Sequence, residues 1–181
     1  MHSTSYDEYL DACCALATQA GEVILRYFGT DIAVQQKQDT SPVTQADTEA
    51  NRLIVAGLTA LAPHIPIVSE EEEPPVLAAG APFWLVDPLD GTRAFLRAEP
   101  EFTVNIALVV QARPVLGVVY APATASLYFA RKAGGAFRQT GRQHAEPIRV
   151  RKRPEPLVIT KAVPSLRRAC RPIYSSNQPT G

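Results

Sequence analysis

Cysteine is scarce in this 181-residue sequence: Cys13, Cys14 and Cys170 are all there is, and no pair has the spacing of a metal-thiolate site. Adjacent Cys13 and Cys14 are poor partners for each other. An odd count behind a polar, acidic N-terminus without signal-peptide architecture reads as reduced thiols in a cytoplasmic protein. No apolar run approaches the ~18 residues of a membrane span. The three histidines, His2, His64 and His144, are isolated, and none has a second ligand nearby in sequence, so each reads as a surface residue. The formal net charge is zero, which removes the global basic excess of a nucleic-acid-binding domain.

What remains is ordinary for a globular protein: 46% hydrophobic and 20% charged residues, enough for one domain with a sizeable core. Charge is nevertheless uneven. Residues 149–171 hold eight of the eighteen basic residues and one acid, Glu155, which leaves ten basic and seventeen acidic residues elsewhere. An acidic body suits cations and argues against a nucleic acid polymer as partner.

Ser5-Tyr6-Asp7-Glu8 is a capping box, and Leu10, Cys14, Ala17, Gly21, Ile24, Leu25 and Phe28 follow at three- and four-residue steps, predicting an amphipathic helix ending near Gly29. Ile32 to Gln38 alternates weakly as a strand, and 37–44 is turn-rich and predicts a loop. A second helix starts at Thr44-Gln45-Ala46-Asp47, with Leu53, Ile54, Gly57, Leu58 and Leu61 as its buried side. Ile65–Val68 is a short strand that runs into Ser69 and four acids, Glu70–Glu73. Such a run is usually a solvated turn, and Glu72 and Glu73 fit that description. Glu70 differs by standing at the strand exit. Residues 74–82 form a Pro/Ala/Gly linker.

The central stretch is Trp84-Leu85-Val86-Asp87-Pro88-Leu89-Asp90-Gly91-Thr92. Phe83–Val86 reads as a buried strand that delivers Asp87 to its end, with a turn forced at Pro88. Gly91 permits close approach of a ligand, and Thr92–Leu96 looks like a helix start, where anions are favoured. Two carboxylates beside a phosphate cradle suit a hard cation such as Mg²⁺. The plainer alternative is a turn whose aspartates cap a helix. Thr103–Val110 and Val115–Tyr120 flank Gln111-Ala112-Arg113-Pro114 as a hairpin, though without the Asn-Gly preference of such turns. Leu127–Ala130 is a further strand, Gly134-Gly135 a turn before Ala136-Phe137-Arg138, and 148–150 a last short strand. These elements predict an α+β fold, two early helices covering a mainly antiparallel sheet.

The central nonapeptide resembles the signature of the inositol monophosphatase-like family of Mg²⁺-dependent, lithium-sensitive phosphatases, and Glu101-Phe102-Thr103-Val104-Asn105-Ile106-Ala107-Leu108 looks most like its bisphosphate-nucleotidase branch. The resemblance covers about residues 5–159 and implies a layered α/β sandwich of the sugar-phosphatase type, in agreement with the α+β fold expected above. It implies hydrolysis of a phosphate monoester, a 3'(2'),5'-bisphosphate nucleotide such as adenosine 3',5'-bisphosphate, with an inositol phosphate as runner-up. It implies two or three Mg²⁺ in a complete enzyme, with Mn²⁺ as a substitute, held by Glu70, Asp87, the Leu89 carbonyl and Asp90. Glu70, Leu89, Asp90, Gly91 and Thr92 would contact the substrate. Asp47, Thr92 and Glu71 would orient and activate water, and Asp39 in the loop before Asp47 is a weaker candidate.

The sequence also departs from the family pattern. Its only tryptophan, Trp84, is not followed by Asp, so the Trp-Asp ligand of the family's second half is missing, and Thr160-Lys161-Ala162-Val163 stands where Ser-Arg-Ser-His is expected. The expectation is therefore an N-terminal metal- and phosphate-binding domain over 1–153 and a basic, Pro-rich tail over 154–181. The tail could touch anionic lipid at the inner membrane, but it has little aromatic interleaving for nucleic acid. A chain of this kind could be an inactive metal-binding remnant, and its sheet would expose an apolar face to a second copy or to a separate second half.

Overall fold

The computed structural model describes residues 6–29, 35–36, 42–43, 45–152 and 155. The chain divides into two compact units, Met1–Ile148 and Arg149–Gly181. In the second, the described residues 149–152 and 155 are exposed.

In the first unit, helix α1 spans Tyr6–Leu25 and helix α2 Gln45–Leu61. Between them Gln35–Gln36 (β1) and Pro42–Val43 (β2) pair antiparallel, so part of the expected 37–44 loop is a strand. Strand β3 is Ile67–Ser69, β4 Phe83–Asp90, β5 Thr103–Val110, β6 Arg113–Ala121, β7 Ser126–Arg131, β8 Gly135–Thr140 and β9 Glu146–Ile148. A five-residue helix α3, Thr92–Leu96, follows β4, and a 3-10 turn, Pro122–Thr124, follows β6. The seven strands β3–β9 form one sheet in sequence order, with β3 parallel to β4 and every other pair antiparallel. The last strand lies two residues earlier than the apolar 148–150 pattern suggests.

The fold is thus α+β, as expected, with α1 and α2 on one face of the sheet. The buried stripe of α1 is Tyr9, Leu10, Cys13, Ala17, Ala20, Gly21, Val23 and Ile24. This corrects the expected stripe by a fraction of a turn: Cys13 is in the core, Cys14 at its margin, and Leu25 exposed. Small residues decide the rotation, because a Cβ on Gly21 would collide with the Tyr120 ring and one on Gly57 with the Leu16 side chain. Two helices and β6 therefore approach more closely than larger residues would allow. Tyr9 meets Trp84 edge-on at 5.6 Å, and Arg131 of β7 forms an ion pair with Asp7, tying the first turn of α1 to the sheet.

Strand β4 corrects two expectations. It is buried on one face only: Trp84 and Val86 point into the core while Leu85 is 47% exposed. It also does not stop at Pro88. The register passes from Asp87 opposite Asn105 to Asp90 opposite Thr103, so Pro88 and Leu89 together face the single residue Val104. That is a β-bulge, a place where a proline's missing N–H removes no ladder bond. The bulge carries the strand two residues further and bends it at the point where Asp87 and Asp90 emerge.

The hairpin joining β5 and β6 is tighter than expected. Gln111 and Ala112 alone form the connection, with φ of 51° and 57°. Positive φ at both central positions is the geometry that matches strand twist, here without the Asn or Gly that adopts it easily.

Candidate active site

Three pieces of backbone converge at the C-terminal ends of β3 and β4. The parallel pairing sets Ser69 beside Val86, and the Glu70 N–H donates to the Val86 carbonyl at 3.1 Å, so Glu70 arrives next to Asp87. The bulge then returns Asp90 to the same end. At Gly91 the chain turns with φ 91°, and α3 begins, with the Ala94 and Phe95 N–H groups donating to the Gly91 carbonyl at 2.9 and 3.0 Å. The Thr92 hydroxyl donates to the Leu89 carbonyl at 3.1 Å. Asn105 donates to Asp90 Oδ2 at 3.4 Å and accepts from Thr103 at 3.1 Å. A hollow of about 310 Å³ lies beyond Asp90 and Gly91, walled by Glu101–Thr103 and by Ala121 and Thr124.

The electrostatics of the cluster centre on Asp87. Burial pushes its carboxyl up to about 7, helped by the negative charges of Glu70 and Asp90 and, least, by a hydrogen bond with Glu70, and opposed by a bond from the Leu89 backbone. Its Oδ1 is buried without a hydrogen-bond partner. A buried, unpartnered carboxylate oxygen is costly in isolation and suits a cation. Among the described residues no three Asp, Glu, His or Cys side chains stand close enough together to hold a metal ion as they are. Glu70 and Asp90 are exposed, however, and their heads turn about single bonds while their backbones are pinned. The donors are all oxygens, with no histidine or thiol, so the set fits a hard ion such as Mg²⁺.

Asp47 is buried, at 5% exposure, in the first turn of α2, and Glu71 is half-buried with its N–H on the Ser69 hydroxyl at 3.3 Å. Asp39 lies outside the described residues. Sequence reasoning missed four polar residues here. Asn51 and Ser69 are both buried, and the Ser69 hydroxyl donates to Asn51 Oδ1 at 2.7 Å. Asn51 Nδ2 in turn donates to Glu72 at 2.8 Å, so Glu72 is anchored although it is exposed. The signal was present: Asn51 interrupts the stripe Ala46, Ala50, Ile54, Leu58 one turn after Asp47. Asn105 similarly interrupts an apolar strand.

Among the described residues no helix is long and apolar enough to cross a membrane. The inositol monophosphatase family model matches residues 5–176, past Ile159 where the sequence resemblance ends. Among curated proteins, the chain is 43% identical over 154 residues to the 3'(2'),5'-bisphosphate nucleotidase CysQ of Salmonella typhimurium, and 44% identical to that of Escherichia coli. In both cases the match covers 83% of this chain and 62% of the relative. Of solved structures, the Thermotoga maritima IMPase superposes with a TM-score of 0.70 at 31% identity, covering 80% of this chain and 54% of that one. CysQ from Bacteroides thetaiotaomicron superposes with a TM-score of 0.59 at 40% identity, covering 72% and 49%. The chain thus spans about 62% of the length of these two curated relatives, and it belongs to the inositol monophosphatase family.

Proposed function

We propose that this chain forms the N-terminal, metal- and phosphate-binding part, residues 1–153, of a Mg²⁺-dependent phosphatase that removes the 3'(2')-phosphate from 3'(2'),5'-bisphosphate nucleotides such as adenosine 3',5'-bisphosphate. The observation that carries the reading is the Asp87 carboxyl, held against Glu70 and Asp90 with one oxygen buried and unpartnered. Similarity to proteins named 3'(2'),5'-bisphosphate nucleotidase supports the substrate class.

Glu70, Asp87, Asp90 and the Leu89 carbonyl would hold Mg²⁺, with Mn²⁺ as a substitute. Bound there, the ion would supply charge neutralisation for phosphate oxygens and would acidify water. The chain's own groups supply the rest. Asp47 and Thr92 orient a water molecule and take its proton, and Glu71 helps to place it. The Gly91 and Thr92 N–H groups donate to the phosphate oxygens as negative charge builds on them. Gly91 has no side chain to block that approach. A second copy or a separately encoded segment would cover the open face of the sheet.

Phosphate release from adenosine 3',5'-bisphosphate and from inositol 1-phosphate, each with and without Mg²⁺, tests the reading against the Asp87→Asn variant. Mg²⁺-dependent release that favours the nucleotide and vanishes in the variant is expected. Faster release from inositol 1-phosphate would reassign the substrate. Absent release would leave a metal-binding remnant, and release equal in the variant would remove Asp87 from the site.

A further inference from the structure

We infer that Asn51 is a positioning residue that clamps the acidic turn to helix α2 and so fixes Glu70 relative to Asp87, an inference that rests on the metal-site reading above. Glu72 is a carboxylate and can only accept, so the Asn51 amide must present its NH₂ to it, at 2.8 Å. The Asn51 carbonyl oxygen then faces Ser69, whose hydroxyl donates to it at 2.7 Å. With its proton committed, the Ser69 oxygen accepts from the Glu71 N–H at 3.3 Å, and the Ser69 carbonyl accepts from the Glu72 N–H at 3.3 Å. The proton direction is therefore set along the whole chain of bonds, from Glu71 through Ser69 and Asn51 to Glu72.

Glu70 lies inside that loop of bonds. Its own N–H is fixed by the Val86 carbonyl of β4. Residues on both sides of it are tied to one buried amide, which stands a single helical turn beyond Asp47. Asn51 thus couples two carriers of acidic residues, α2 with Asp47 and the turn with Glu70 and Glu71. Removing partners that orient metal-ligating groups typically weakens metal affinity by about 10–100-fold.

The test is Mn²⁺ titration of the purified chain, followed by water proton relaxation and accompanied by thermal unfolding in chelator. Asn51→Asp keeps an acceptor for Ser69 but sets a carboxylate against Glu72, and it should weaken Mn²⁺ binding by about tenfold or more. Adding Glu72→Gln to it supplies a new donor toward residue 51 and should restore most of the loss. A role confined to stability would lower the unfolding temperature while leaving the affinity of the folded protein unchanged, and that result overturns the inference. Failure of the double variant to recover affinity overturns it equally. Should Asn51→Asp not fold, Glu72→Ala at the exposed end of the chain of bonds carries the same expectation of weaker binding, and unchanged affinity in it overturns the clamp. A wild type that takes up no Mn²⁺ is a different outcome, which overturns the metal reading and the clamp with it.

Discussion

Gly91 rests directly against the carbonyl oxygen of Glu101: a Cβ at residue 91 would stand 2.6 Å from that oxygen and 3.1 Å from the Phe102 Cα. Both obstacles are backbone and cannot rotate away. The residue also has φ 91°, where side chains are strained. Gly91→Ala should therefore cost about 1–3 kcal/mol from the dihedral alone, with the collision added, and should shift α3 relative to Asp90. An unfolding temperature several degrees below wild type is expected, at roughly 2–4 °C per kcal/mol. An unfolding temperature equal to wild type would show that the turn yields more easily than its contacts imply.

Metal removal should separate Asp87 from every other acid in the chain. With chelator present, Asp87→Asn should unfold at a higher temperature than wild type, because it relieves repulsion from Glu70 and Asp90 and the penalty of a buried charge. With Mg²⁺ at ten times its Kd, wild type should gain about 1.4 kcal/mol by mass action and the variant nothing. Differential scanning calorimetry in both conditions is the measurement. An equal Mg²⁺ shift in the two proteins would remove Asp87 from the site.

Much of this site could be read in the sequence, and the parts that could not share a cause. Trp84 to Thr92 announced a strand, two carboxylates, a glycine turn and a short helix, and all of those elements are present. Pro88 was misleading, because a bulge lets a proline sit within a strand, and bulges depend on the neighbouring strand's register rather than on local sequence. Gln111 and Ala112 likewise occupy a turn that local preference gives to Asn and Gly. Tertiary pairing of β5 with β6 overrides the preference there. Glu72 illustrates the same limit for side chains: its partner Asn51 lies 21 residues away in sequence, and only the packing of α2 on the sheet brings them together.

Burial should make the helix α1 thiols inert. Burial first, and the neighbouring Cys14 second, push the Cys13 thiol up to about 12; burial and then Asp11 do the same to Cys14. A raised folded pKa favours the protonated thiol. The associated stability is fully present below the unfolded value near 9 and is lost as pH climbs toward 12. In a Cys170→Ser background, iodoacetamide at pH 8.5 should leave the native chain unlabelled and modify both residues once guanidinium unfolds it. Stoichiometric labelling of the native protein would contradict the packing of α1.

The final expectation concerns the sheet face that α1 and α2 leave open. Cross-strand pairing aligns Leu85, Ala107, Gly117, Ala130, Ala136 and Ile148 in one row from β4 to β9. On the same face Val119 is 41% exposed, and Leu85 is followed two residues on by Asp87. Exposed apolar surface costs ~25 cal/mol per Å², and contiguous patches of several hundred Å² commonly mark interaction sites. The row itself is apolar, and the next row on this face carries charge only at its two ends, Asp87 on β4 and the Arg138–Glu146 pair on β8 and β9. The chain should self-associate through it, and whatever covers it should border Asp87. Leu85→Lys/Val119→Lys puts two charges on the face without touching the core, so circular dichroism should be unchanged while light scattering moves from an oligomer to a monomer. A wild type that remains monomeric at every concentration, with the double variant indistinguishable from it, would show that the face is soluble by itself.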